Sequence, residues 1–273
     1  MSEITIIDGM LAVIGGGRMG EAIIGGLLES GAIDPGSVIV AEPSPERRAV
    51  LLETYGIRCV ASGQEAVVNS AIVILAVKPQ VIESVVASLA GSVGSAIVVS
   101  IAAGVSCARI ESHLPAGTVV VRVMPNTPAM VGQAMSVVSA GTEATDEQTR
   151  TICTLFGAVG DALILDERHQ DAATAISGSG PAYVALFIDS LARAGVRQGL
   201  SRDVAERLAV QTVRGTADLL DETGMHPEQL VDGVASPGGT TIAAVEALEA
   251  GGFRAAIASA VAAAVKRAKE LGA

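Results

Sequence analysis

Two short glycine-rich stretches carry residue types that could do chemistry: Gly15-Gly16-Gly17-Arg18-Met19-Gly20, and Ser236-Pro237-Gly238-Gly239-Thr240-Thr241. The first has the spacing G-x-G-x-x-G, follows the apolar run Leu11–Gly15 and opens a helical pattern. In that setting Gly15 permits a tight turn, Gly17 removes the Cβ that would bar a pyrophosphate, and Gly20 lets the helix lie close on its strand. A helix starting there offers free N–H groups and partial positive charge to phosphates. The expected ligand is a nicotinamide dinucleotide. The second stretch is a rigid turn that ends in two hydroxyls and opens an amphipathic segment. Pro237 and the two glycines place that turn at the start of a helix. One such turn can be punctuation. Two, each opening a helix in a different half of the chain, point to two ligands that meet.

Other candidates sit where strands should end, the edge at which α/β sheets bind ligands. Glu42 closes the second apolar run and could accept from a ribose 2′-OH, which favours NADH. Ser44, Arg47 and Arg48 follow and could hold a 2′-phosphate, which favours NADPH. Arg47 and Arg48 read equally well as solvated helix residues, so the cofactor choice stays open on this stretch. Lys78 ends the run Ala71–Val77, where it could touch cofactor or only reach water. Asn126 lies between Pro125 and Pro128, a stiff loop that fits either a nicotinamide contact or a structural turn. His113, His169 and His226 fall outside these motifs and read as surface or helix-end residues.

The elements that must position these residues are legible as well. The runs Leu11–Gly15, Ser37–Ala41, Ala71–Val77, Ala96–Ile101, Thr118–Met124 and Met135–Ala140 are nearly continuously apolar. That is the mark of strands covered on both faces, hence a parallel sheet of the doubly wound Rossmann type. Ser44 with Pro45 starts a helix. Ser62 with Glu65, and Thr145 with Gln148, have capping-box spacing. Gly31 and Gly56 stand where helix C-terminal glycines belong. Beyond Leu165 every segment reads as helix: one from Ser201 to near Gly224, a short one from Pro227 stopped by Gly233, and one over Phe253–Leu271. The expected organisation is a dinucleotide-binding domain over residues 1–165 and an all-α domain over residues 166–273. Ala255–Ala268 is apolar over most of its circumference, which calls for cover on all sides. A second copy of the chain, related by a two-fold axis, is the simplest cover. Met1–Gly9 reads as a short extension or an extra edge strand.

Composition bounds the rest. The chain has 273 residues, half of them apolar, and a formal charge of −11. That charge opposes nonspecific nucleic-acid binding and attraction to anionic membranes, since phosphates would be repelled. Three cysteines without pairing motifs predict reduced thiols. No signal peptide is visible, and the longest apolar run is about half the roughly 20 residues that span a bilayer. The expectation is a cytoplasmic protein without nucleic-acid or membrane partners.

The motifs IGGGRMGEAI, AVKP, VMPNTP, DAATAISGSGPAYV and VASPGGTTIAAVEALEAGGFR occur in that order. With them the chain resembles the pyrroline-5-carboxylate reductases over nearly its whole length. The resemblance implies a Rossmann domain followed by a helical dimerisation domain, and homodimers that can assemble into a larger ring such as a decamer. It implies reduction of the imine of 1-pyrroline-5-carboxylate to L-proline by NADPH, with NADH as the alternative. It carries over Gly15, Gly17, Arg18, Met19, Gly20, Ser44, Arg47, Ala76, Val77, Lys78, Pro79, Ala102 and Asn126 as cofactor contacts. For the substrate it carries over Glu222, Ser236, Gly238, Gly239, Thr240 and Thr241, with the helix start supplied by the partner subunit. Thr241 is the catalytic position, its hydroxyl meeting the ring nitrogen. A protonated imine is the better hydride acceptor, and the enzyme need only hold C=N over the nicotinamide at roughly 3–3.5 Å. An ordinary hydroxyl is a poor proton donor, so Thr241 orients more than it protonates. No metal is implied.

Two rivals are set against this. A β-hydroxyacid dehydrogenase would need a helix lysine as general acid, and the C-terminal helices offer only Lys266 and Lys269, near the end. A dinucleotide-binding redox sensor would have no need of the Ser236–Thr241 turn.

Overall fold

The computed structural model describes residues 9–272. The extension or edge strand expected at Met1–Gly9 lies outside the described residues except for Gly9. The strands are β1 (Met10–Ile14), β2 (Val38–Ala41), β3 (Arg58–Val60), β4 (Ser70–Leu75), β5 (Ile97–Ser100), β6 (Val120–Met124), β7 (Ala134–Ala140) and β8 (Gly160–Ile164). The helices of the first half are α1 (Arg18–Glu29), α2 (Pro45–Tyr55), α3 (Gly63–Val67), α4 (Ile82–Leu89), α5 (Cys107–Glu111) and α6 (Asp146–Gly157). Those of the second half are α7 (Gln170–Ala173), α8 (Gly180–Arg197), α9 (Arg202–Thr223), α10 (Pro227–Val234), α11 (Thr240–Ala250) and α12 (Phe253–Gly272).

One sheet holds all eight strands in the order β3-β2-β1-β4-β5-β6-β7-β8. The first six run parallel, as their apolar runs require, because both faces are covered. On one face Leu11 and Val13 pack with Ile23, Ile24 and Leu27 of α1. On the other, Ala12 and Ile14 pack with Val67, Ile82 and Leu89. Each large side chain so buried contributes about 1.5–3 kcal/mol relative to exposure.

The fully parallel sheet expected from sequence is corrected at one point: β7 pairs antiparallel with β6, and β8 runs parallel to β7. The link between β6 and β7, residues 125–133, is shorter than the crossover of about a dozen residues that a parallel return needs. Strands β3 and β8 were not anticipated. The first has three residues and the second is largely exposed, so neither shows a buried run. Ser44 caps α2 by accepting from the Arg47 N–H, and Thr145 and Gln148 form the reciprocal box expected of them. Ser62 also caps its helix, but the Glu65 carboxylate turns to Arg58 instead of back to Ser62. Gly233 does not stop α10, which runs on to Val234.

The chain divides into two compact units. The first reaches to Ser179 and also takes in the last stretch from Ala264; the second is Gly180–Ala263. The second unit is all helix. Gly195 on α8 brings the helices close: a Cβ there would lie 3.2 Å from that of Ala205 on α9. Its buried core is small, namely Ala192, Ala205 and Ala209 with Ile188 packed against them. Leu186, Leu208 and Val210 stand at least half exposed. No single helix among the described residues is long and apolar enough to cross a membrane; α11 and α12 reach that length only together, across a 48° bend.

Candidate active site

The first glycine turn joins β1 to α1. Gly15 has φ +108°, and a Cβ there would lie 2.7 Å from the Ala76 carbonyl oxygen, so the chain just past β4 closes that side. A Cβ on Gly20 would lie 2.4 Å from the Gly15 carbonyl oxygen. Both positions are filled by protein. Gly17 differs: a Cβ there would meet nothing within 4 Å. It is the N-cap of α1 and has no side chain to cap the N–H groups of the exposed Arg18, the half-buried Met19 and Gly20. Open space over uncapped N–H groups at a helix start fits a dinucleotide pyrophosphate.

The exit of β2 is built around the Gly16 peptide. Its N–H donates to a Glu42 carboxylate oxygen at 2.9 Å, and its carbonyl accepts from Arg47 Nε at 2.7 Å. The other Glu42 oxygen accepts from the Ser44 N–H at 3.0 Å. Arg47 also pairs with Glu21, and Arg48 donates to the Glu42 and Pro43 carbonyls at 2.7 and 2.8 Å. Glu42 and Arg47 thus hold the middle of the glycine turn between opposite charges. The sequence offers Glu42 as a ribose contact and Arg47 as a phosphate contact or a solvated helix residue, and neither reading includes this grip on Gly16. The acidic Glu21 in the first turn of α1 was the available signal that Arg47 would be drawn back toward the turn. Tyr55 hydrogen-bonds Glu21 at 3.5 Å, and burial together with that carboxylate pushes its phenol pKa up.

The remaining cofactor candidates end neighbouring strands. Ala76 donates its N–H to the Ile14 carbonyl at 2.8 Å, which brings Ala76 and Val77 against the turn. Lys78 is exposed and precedes Pro79, which opens a 3-10 turn over Pro79–Val81. Ala102 is buried just past β5. Asn126 is 8% exposed just past β6, and its amide is used at both ends. Nδ2 donates to the Ser177 carbonyl at 3.0 Å, and Oδ1 accepts from the Met135 N–H at 2.9 Å. Cys107 is buried at the start of α5, and burial followed by the nearby Glu167 raises its thiol far above the ordinary range.

The second glycine turn belongs to the helical unit. Gly238 has φ +66°, a left-handed conformation that glycine adopts without strain. Gly239 donates its N–H to the Ser236 carbonyl at 3.0 Å, and a Cβ on it would lie 2.2 Å from Ser236 Oγ. Gly239 is the N-cap of α11 and has no side chain to satisfy the helix's first N–H groups. Thr240 is exposed and Thr241 half-buried in that first turn. Bare N–H groups at such a helix start can hold an anion by backbone alone. Glu222 is exposed near the end of α9, in the same unit, where Gly224 (φ +61°) stops the helix. His226 is engaged elsewhere: its ring nitrogen accepts the Glu228 N–H and caps α10.

Residues 10–104 match the family model described as NADP oxidoreductase coenzyme F420-dependent. Residues 167–271 match the one described as pyrroline-5-carboxylate reductase dimerisation. The chain is 48% identical to the pyrroline-5-carboxylate reductase of Synechocystis sp., over 96% of this chain and 98% of that one. It is 46% identical to that of Arabidopsis thaliana, over 94% of each. Among solved structures, a pyrroline-5-carboxylate reductase from Coxiella burnetii superposes with a TM-score of 0.92 at 35% identity, covering 97% of this chain and 99% of that one. The Plasmodium falciparum pyrroline carboxylate reductase, solved with NADP bound, gives 0.88 at 30%, with the same coverage. With relatives of this identity over nearly its full length, the chain belongs to the pyrroline-5-carboxylate reductase family.

Proposed function

We propose that this protein reduces the C=N bond of L-1-pyrroline-5-carboxylate with NADPH, yielding L-proline. One observation carries the reading beyond family membership. A single chain holds two uncapped glycine helix starts, one with open space for a pyrophosphate and one that can grip a carboxylate without a cationic side chain. NADPH, when bound, supplies the hydride.

The residues of this chain do the rest. The N–H groups at the start of α1 take the pyrophosphate, and Glu42 and Arg47 keep the Gly16 peptide in place for it. Ser44, Arg47 and Arg48 are the groups near the ribose end. Ala76, Val77, Lys78, Pro79, Ala102 and Asn126 line the strand ends toward the nicotinamide. At α11 the Gly239–Thr241 backbone takes the substrate carboxylate, and Ser236 shapes that turn. The Thr241 hydroxyl orients the imine nitrogen, and Glu222 approaches it. The α11 start acting on one cofactor comes from a partner subunit. The active form is a homodimer, with dimers assembled into a larger ring such as a decamer. Residues 1–165 serve the cofactor and residues 166–273 serve assembly and substrate. Three thiols without disulfides suit a reducing cytoplasm.

The test is direct. Purified protein is mixed with NADPH and pyrroline-5-carboxylate, and nicotinamide absorbance and proline are followed together. Proline formed in step with NADPH oxidation is the expected result. Nucleotide binding without turnover would overturn the reading in favour of a sensor.

A further inference from the structure

Alternate residues of β6 and its extension carry one set of contacts. Arg122, Met124 and Asn126 lie two apart, so they share a face of the strand, while Val121 and Val123 fill the core on the other. Each residue of the first set meets the segment after β8. Arg122, 6% exposed, pairs with Glu167 at 3.2 Å. Met124 is packed so close to Gly178 that a Cβ there would lie 3.2 Å from its methyl carbon. Asn126 donates to the Ser177 carbonyl. Ser177 and Gly178 lie in a π-helical turn, Thr174–Gly178, between α7 and α8. Such turns are rare and occur often at functional sites, because they aim groups that a regular helix would not.

We infer that Asn126 is a positioning residue for hydride transfer rather than a cofactor ligand. Its buried amide ties the loop at the end of β6 to the π-turn. One end holds Met135 at the start of β7, and the other holds Ser177. Loop and turn therefore keep one spacing at the strand edge where the nicotinamide is expected. With Nδ2 donating to Ser177 and Oδ1 accepting from Met135 on a residue only 8% exposed, the protein itself fixes the plane of the amide, which suits positioning better than cofactor recognition. The inference rests on the reductase reading.

Asn126→Asp tests it, with wild type assayed beside it. The aspartate keeps the acceptor for Met135 but sets a second oxygen against the Ser177 carbonyl. NADPH affinity, read by nucleotide fluorescence titration, should stay within about twofold, while kcat falls about 10- to 100-fold, the scale of an ångström-sized misplacement. The primary isotope effect with deuterated NADPH should rise as transfer becomes limiting. Because a protonated aspartic acid can again donate to Ser177, the ratio of variant to wild-type kcat should climb as pH falls. Gly178→Val, which presses the same turn away from Met124, should give the same kcat loss and serves if the aspartate variant does not fold. An unchanged kcat in a folded variant, or a tenfold weaker NADPH complex with kcat intact, would overturn the inference. A wild type that fails to oxidise NADPH with the substrate would instead overturn the reductase reading.

Discussion

Gly15 and Gly17 of one motif do different work, and single substitutions separate them. Gly17→Ala adds a methyl to open space and leaves φ in an ordinary region, so the melting temperature should hold. NADPH affinity should fall about tenfold or more, because the methyl stands where the pyrophosphate belongs. Gly15→Ala meets the Ala76 carbonyl and a left-handed φ, and should lose stability by about 1–3 kcal/mol for the backbone conformation alone. Differential scanning calorimetry with a nucleotide titration distinguishes the two. Equal losses of stability would refute this division of labour. At the other turn, Thr241→Ala should reduce kcat/KM for the imine about 10- to 100-fold, the size of one hydrogen bond to a charged group, with NADPH affinity nearly intact. A large loss of NADPH binding would misplace that residue. Replacing Arg47 and Arg48 together should weaken NADPH more than NADH. Both cofactors should also lose some affinity, since Arg47 holds the Gly16 carbonyl.

At the scale of elements, α2 is the part that aims the β2 exit. Ser44 accepts the Arg47 N–H at 3.2 Å and so fixes the first turn of the helix that presents both arginines. Ser44→Ala should cost about 1 kcal/mol of stability. It should weaken NADPH in parallel, and calorimetry beside nucleotide titration reads both. Loss of stability with affinity unchanged would show that α2 does not position the site. The α2 cap was legible because Ser-Pro before a helical pattern has few other uses. The grip of Glu42 and Arg47 on Gly16 was not, since the contacts join positions up to 31 residues apart and depend on how α1 and α2 flank β1 and β2.

At the scale of the whole molecule, the helical unit presents apolar surface that a second copy can cover. Its buried core is a few alanines, while Leu208 and Leu186 are 55% and 67% exposed. Apolar area of this kind contributes about 25 cal/mol per Å² when covered. Leu208→Glu should shift the protein toward monomer in sedimentation. Activity should fall with it, because the α11 start assigned to the partner leaves the site. A monomer with full activity would place the whole site in one chain.

Sequence alone determined the parts whose signals are local. The six core strands show as apolar runs, the caps as Ser44, Ser62 and Thr145 before helical patterns, and the two glycine turns as spacings with few other uses. It also determined the family, since the motifs recur in order along the chain. Tertiary structure decided what depends on distant partners. It reversed β7, because the link from β6 is too short for a crossover. It engaged the Asn126 amide between Met135 and Ser177, 9 and 51 residues away. It left space over Gly17 while closing Gly15 and Gly20. A side chain's type limits what it can bond, but only the packed fold decides which partner reaches it first.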